Sequence, residues 1–252
     1  CEANQIIRDF PSTNSDEGDI YLEGAPPRDG LPARMAVYRE QIGAEVGSMF
    51  AAPRIMASAT GTLIRANGPG QLSMPDELPG FRAEIHFDGA ARYESFHAGM
   101  ASEAKFRKGV ILRQPSRNLV IMAEELDSRF MQDTQTLAGA TAANTVEIER
   151  IGKLRRAEGR INVRIEHALP RQGKRMATGD QAIVDFTDTG NVITMTADRR
   201  QDPRRFVMAR DHDGLPLRSP HIEVRELQGI TRAAGPGELQ IPGDRNNEGL
   251  SK

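Results

Sequence analysis

A chain of 252 residues with 38% hydrophobic and 5% aromatic residues, and no Trp, has enough apolar material for one large β domain or two units sharing a thin core. Lys and Arg total 33 against 35 Asp and Glu, a net charge of −2 that names no partner by itself. The single Cys excludes an internal disulfide framework and a Cys-based zinc site, and no apolar run approaches the ~20 residues of a membrane helix.

In chain order, Ile6–Phe10 and Ile20–Leu22 read as strands around a polar turn at residues 11–19, and Ala25-Pro26-Pro27-Arg28-Asp29-Gly30 breaks the chain again. Residues 33–50 have apolar spacing compatible with an amphipathic helix. Their partner in the internal repeat described below, residues 204–221, carries Gly214, Pro216 and Pro220, so extended structure is expected instead. From Phe81 the alternation is clear, with Phe81, Ala83, Ile85 and Phe87 on one side and Arg82, Glu84, His86 and Asp88 on the other. Further strands are expected at Ala104–Leu112 and Leu119–Ala123 around a turn at residues 114–118, with Leu126–Met131 continuing the second. Ile161-Asn162-Val163-Arg164-Ile165 is apolar on one face only and is followed by a loop at residues 170–174. Gln181–Phe186 and Val192–Ala197 form a hairpin around Asp188-Thr189-Gly190-Asn191. Strands at Phe206–Ala209 and Ile222–Leu227 complete the series, and residues 243–252 read as a disordered polar tail.

Two stretches repeat. Arg65-Ala66-Asn67-Gly68-Pro69-Gly70-Gln71-Leu72-Ser73-Met74-Pro75 returns as Arg232-Ala233-Ala234-Gly235-Pro236-Gly237-Glu238-Leu239-Gln240-Ile241-Pro242. Upstream, Pro53-x-Ile55 matches Pro220-x-Ile222, Ala33–Val37 matches Arg204–Met208, Ile20–Leu22 matches Ile193–Met195, and Gln5–Phe10 matches Gln181–Phe186. The offset drifts from about 176 to about 167 residues, as loops change length while strands persist. Residues 1–75 therefore read as the second half of a unit whose full copy is residues 81–242. A first-position Cys invites the reading of an acylated lipoprotein, but Cys1 aligns with Ala177, in the approach to a strand, which favours a fragment that begins inside a unit. Each Gly-Pro-Gly is expected to be a sharp corner, Gly tolerating positive φ and Pro fixing its own.

Motifs for catalysis are sparse. The five His residues never fall at H-x-x-x-H spacing, and Arg210-Asp211-His212-Asp213 before Gly214 reads as a loop tip. Glu124 and Glu125 are adjacent, so on a strand they face opposite sides. No P-loop, nucleophile elbow or dinucleotide fingerprint occurs. Gly235-Pro236-Gly237 is no phosphate cradle, since Pro lacks the amide donor. Residues 150–210 carry 14 Lys or Arg against 7 Asp or Glu, without the interleaved aromatics of a nucleic-acid stacking platform. That excess reads as a solvated outer strand face, or as a basic rim for the head of an amphipathic ligand.

Several stretches resemble the OstA-like, LptA-type family of lipopolysaccharide-transport proteins. These are Ala177-Thr178-Gly179-Asp180-Gln181-Ala182-Ile183-Val184-Asp185-Phe186 with Val192–Ala197, Ala157-Glu158-Gly159-Arg160-Ile161-Asn162-Val163, and Ala104–Val110 with Leu119–Leu126. Phe186 stands where the family commonly has Tyr, Ala197-Asp198 follows Thr196 in place of Gly, and the two Gly-Pro-Gly corners point to a longer, multi-unit relative. The resemblance implies an all-β fold, an open β-jelly roll folded like a taco (β-taco) from repeated antiparallel strands, with an apolar interior that holds acyl chains. The groove-lining candidates are then Ile161, Val163, Ile165, Ala182, Val184, Phe186, Ile193 and Met195. It further implies a non-enzymatic protein of the periplasm or cell envelope of a Gram-negative-type bacterium. Its expected partners are an amphipathic, lipopolysaccharide-like glycolipid and other OstA-like proteins or copies of itself, with no cofactor, metal or nucleic acid. The alternatives are a β-repeat scaffold that assembles edge to edge without lipid and, less well supported, a polysaccharide-active β-helix enzyme.

Overall fold

The computed structural model describes residues 5–8, 20–24, 35–42, 45–58, 62–96, 101–131, 152–169, 173–200, 202–210, 216–226 and 230–239. The polar turn at 11–19, the break at 25–30, the loop tip around His212 and the polar tail lie outside the described residues.

All-β patterning gives an all-β fold. The strands are β1 (Gln5–Arg8), β2 (Ile20–Glu23), β3 (Ala36–Ile42), β4 (Glu45–Ala52), β5 (Arg54–Ala57), β6 (Leu63–Asn67), β7 (Gly70–Pro75), β8 (Arg82–Phe87) and β9 (Ala90–Phe96). They continue as β10 (Ala101–Gln114), β11 (Leu119–Met131), β12 (Lys153–Leu169), β13 (Gly173–Thr187) and β14 (Gly190–Thr196). The last are β15 (Val207–Arg210), β16 (Pro216–Ser219), β17 (His221–Arg225), β18 (Ile230–Ala234) and β19 (Glu238–Leu239). No α-helix occurs among the described residues, and residues 36–42 and 45–52 are strands, as the repeat predicts.

The pairing defines one open antiparallel sheet bent along its length into two leaves. In the first leaf the order is β1-β2-β5-β6-β9-β10, and beyond the long strands it continues β13-β14-β17-β18. In the second it is β3-β4-β7-β8-β10, then β13-β15-β16-β19. The long strands β10 to β13 run through both leaves and pair with one another throughout. Each has to turn the corner in mid-strand. Register shifts at Arg107/Val110, Met122/Glu125 and Arg160/Val163 mark the turns, and Lys108, Gly109, Ile161 and Asn162 have φ of 71°, 56°, 64° and 54° there. A β-bulge adds a residue and bends its strand, which brings the two leaves face to face.

The core lies between the leaves. β8 alternates strictly, burying Ala83, Ile85 and Phe87. Phe81, which the sequence alternation places in the same row, precedes the strand and is 48% exposed. Rings meet across the gap: Phe50 of the second leaf lies 6.2 Å from Tyr93 of the first, and Phe87 lies 5.6 Å from Phe106. Each such side chain contributes about 1.5–3 kcal/mol by leaving water.

The sequence repeat is matched in backbone register. Leu22 pairs with Ile55 and Ile55 with Ala66, while the aligned Met195 pairs with Ile222 and Ile222 with Ala233. Pro53 and Pro220 each separate a second-leaf strand from a first-leaf strand, and their carbonyls accept from Gly24 N at 2.8 Å and Ala197 N at 3.0 Å. Gly68 and Gly235 both have left-handed φ, 88° and 93°, and an added Cβ would lie 3.1 Å from Pro53 Cγ or 3.2 Å from Pro220 Cγ. The Gly-Pro-Gly corners thus turn the chain from the first leaf into the second, with the Gly packed on the Pro of the rung before. β7 pairs with β8 from Gly70–Phe87 to Pro75–Arg82, so the two copies belong to one continuous sheet.

Candidate functional site

Seven of the eight groove candidates face the interior. Val163, Ile165, Ala182, Val184, Phe186, Ile193 and Met195 are all buried. Ile161 is not: it is 51% exposed, because the left-handed pair Ile161-Asn162 forms the bend of β12 and puts its side chain on the outside of the corner. Ile161 is therefore removed from the groove. The inward seven divide again. Ile165, Ile193 and Met195 line a cleft, whereas Val163, Ala182, Val184 and Phe186 belong to the closed core.

The cleft lies between the two leaves at the end formed by β13 to β19, with a volume of about 590 Å³. Ala177, Ala209 and Leu217 line it from the second leaf, and Ile222, Val224 and Ala233 from the first. The internal repeat shows how this end differs from the first copy. Ala66 is 1% exposed, yet its counterpart Ala233 is exposed. In the first copy the next strands, β8 and β9, bring Phe87 and Tyr93 into the space between the leaves. There Phe87 Cζ would stand 2.6 Å from a Cβ added at Gly70. No strand follows β19 among the described residues, and Phe50, the large residue of the first copy, is matched by the smaller Leu217. The walls repeat; the filling does not.

Sequence reasoning missed Ala177, Ala209, Leu217, Ile222, Val224 and Ala233 as lining residues. A partial signal was present, since Leu217 stands in the second copy where the larger Phe50 stands in the first.

At the free edge of the leaves the surroundings become polar. His167 Nδ1 is 3.1 Å from Glu226 Oε1, joining the second leaf to the first. Glu226 also accepts from Asn191 N at 2.9 Å and Asn191 Nδ2 at 3.2 Å. Arg117, in the turn between β10 and β11, donates to Asn191 Oδ1 at 2.6 Å and to the Thr187 carbonyl at 2.9 Å. It forks onto Glu77, with Nε–Oε2 of 2.9 Å and Nη2–Oε1 of 2.6 Å. Burial pushes the His167 pKa below the ordinary histidine value; Glu226 opposes this, and Arg175 adds to the lowering. Arg175 sits opposite His167 in the β12–β13 register and lines the cleft.

Outside the cleft, part of the basic excess of residues 150–210 is ion-paired at the surface. Arg156–Asp185 (3.0 Å), Arg160–Asp127 (2.9 Å), Arg205–Asp180 (2.7 Å) and Lys174–Glu166 (2.6 Å) are examples, and Arg164 also bonds Glu166. Among the described residues no group of three His, Cys, Asp or Glu could hold a metal ion. Compared with protein-family models, with curated proteins and with solved structures, the chain matches none.

Proposed function

We propose that the protein is a non-enzymatic binder of amphipathic glycolipid, lipopolysaccharide-like in chemistry, that acts at a bacterial cell envelope. The observation that carries this reading is the apolar cleft of about 590 Å³ between the leaves, within the ~300–1,000 Å³ of small-molecule sites. An acyl chain entering between Ile165, Ile193, Ala209 and Val224 gains about 0.8 kcal/mol per buried CH₂. The closed core along β4 to β13 leaves the terminal cleft as the place where a tail enters, rather than a groove running the whole length.

Native mass spectrometry with and without added lipopolysaccharide tests this. A lipid-mass adduct is expected, and it should vanish in Ala233→Trp, which fills the cleft from an exposed position. The substitution has to sit at the cleft, because a charge at Val163, 1% exposed in the closed core, would destabilise the fold itself. Absence of any adduct with the native chain would reject lipid binding.

A second reading, a scaffold assembled edge to edge, has its own observation. Among the described residues β18 and β19 each pair with one strand only, as do β1 and β3 at the opposite end, and unpaired strand edges template further pairing. Oligomers that grow with concentration and take up no lipid would favour it.

A further inference from the structure

We infer that the cleft selects an anionic amphiphile and holds it with the head at the free edge of the leaves, where Arg175 reads the charge; this rests on the lipid-site reading above. The first observation is the charge of the wall. Among the described residues Arg175, Arg210 and Arg218 line the cleft and no Asp or Glu does, in a chain whose net charge is −2; Arg175 shares the inward row of Ala177, whereas Arg210 and Arg218 neighbour the inward Ala209 and Leu217 and face outward at the border. The bias is local, so it is not a by-product of overall composition.

The second observation is polarity along the cleft. Ala177, Met195 and Ile222 lie toward the bends at Gly179 and Pro220, whereas His167, Arg175 and Glu226 lie toward the free edge. A ligand with one apolar end and one charged end therefore has a single favourable orientation. Glu226, at the same edge, is held in place by His167 at 3.1 Å and by two bonds from Asn191.

The three arginines are not equivalent. Arg218 stacks 4.2 Å over the Phe206 ring, and it and Arg210 are exposed on β15 and β16 at the cleft border. Arg175 is half-buried and faces His167, so its field acts in a partly water-excluded setting. A guanidinium carries five N–H donors in a rigid fork and is weakly hydrated, which suits sulfate, phosphate or carboxylate heads and leaves donors for an existing partner.

Isothermal titration below the micelle concentration, with decyl sulfate, decyl maltoside and decyl trimethylammonium, tests the inference. The chain length is constant, so differences report the head. The native protein should bind the sulfate about tenfold more tightly than the maltoside and the trimethylammonium amphiphile least. Arg175→Met should remove the preference for sulfate while leaving maltoside affinity unchanged, and Arg175→Lys should restore part of it. Equal affinities for sulfate and maltoside, or an Arg175→Met variant that weakens both alike, would overturn the assignment and leave the lipid site standing. If none of the three binds to natively folded protein, the lipid-site reading itself falls. Ala233→Trp, which should lose sulfate and maltoside together, separates occupancy of the cleft from recognition of the head.

Discussion

Replacing Arg117 should loosen the free edge where the leaves meet. Its side chain is 12% exposed and makes a bidentate contact with Glu77 in the second leaf. It also spans to the first leaf, bonding Asn191 and the Thr187 carbonyl and lying 5.8 Å from the Phe186 ring. Arg117→Ala strands the Glu77 carboxylate and removes the cross-leaf bonds. A broken, largely buried ion pair costs about 3–5 kcal/mol, and the 29% exposure of Glu77 places this case at the lower end. Against a typical total of ~5–15 kcal/mol, a loss of about 3 kcal/mol is large. Arg117→Lys keeps the charge but not the fork, and should recover only part of the loss. Urea unfolding followed by circular dichroism gives the magnitude, and amide exchange around residues 187–191 gives the location. A change below about 0.5 kcal/mol with unaltered exchange there would refute the idea that Arg117 holds the leaves together.

Ile161→Asn should leave stability unchanged or slightly higher, because relief of a left-handed β-branched residue, about 1–2 kcal/mol, offsets a half-exposed side chain; Val163→Ala should cost about 2 kcal/mol, and thermal melts separate the two. Gly68→Ala and Gly235→Ala should each destabilise by about 1–2 kcal/mol, since both need left-handed φ and both meet a proline ring; a large inequality would show that the corners are not equivalent. The folded-state pKa of His167 lies below its unfolded value, so the folded state binds fewer protons around pH 6. Stability should therefore be fully present above about pH 6.5 and fall as the pH drops below it, and His167→Gln should flatten that slope in acid titrations followed by circular dichroism.

Much of this architecture was legible in the residues. The alternation at Ala83, Ile85 and Phe87 specified a strand and its buried face because neighbouring positions on a pleat point opposite ways. The repeat was legible down to register, since Gly-Pro-Gly and the preceding Pro act through backbone geometry that two residue types supply almost alone. The bend in β12 was not. Ile161, Val163 and Ile165 look like one row, but a left-handed residue pair interrupts the row, and Ile has no local chemistry that announces such a conformation. The division between closed core and cleft was also hidden in any single strand. Ala66 and Ala233 occupy equivalent positions, yet Ala66, followed by the rung with Phe87 and Tyr93, is buried and Ala233 is exposed. The cross-leaf network of Arg117, Asn191 and Glu226 joins residues up to 74 positions apart, a separation that no periodicity encodes.

Because every rung pairs only with the rungs before and after it, the chain has the connectivity of a one-dimensional array. Cooperativity in such an array comes from nearest-neighbour terms alone, so melting should begin at the ends and travel inward. The long strands β10 to β13, with the most extensive pairing, form the segment that opens last. Amide protection should then be graded along the chain instead of uniform, and a single unfolding free energy would describe the middle of the molecule better than its cleft end.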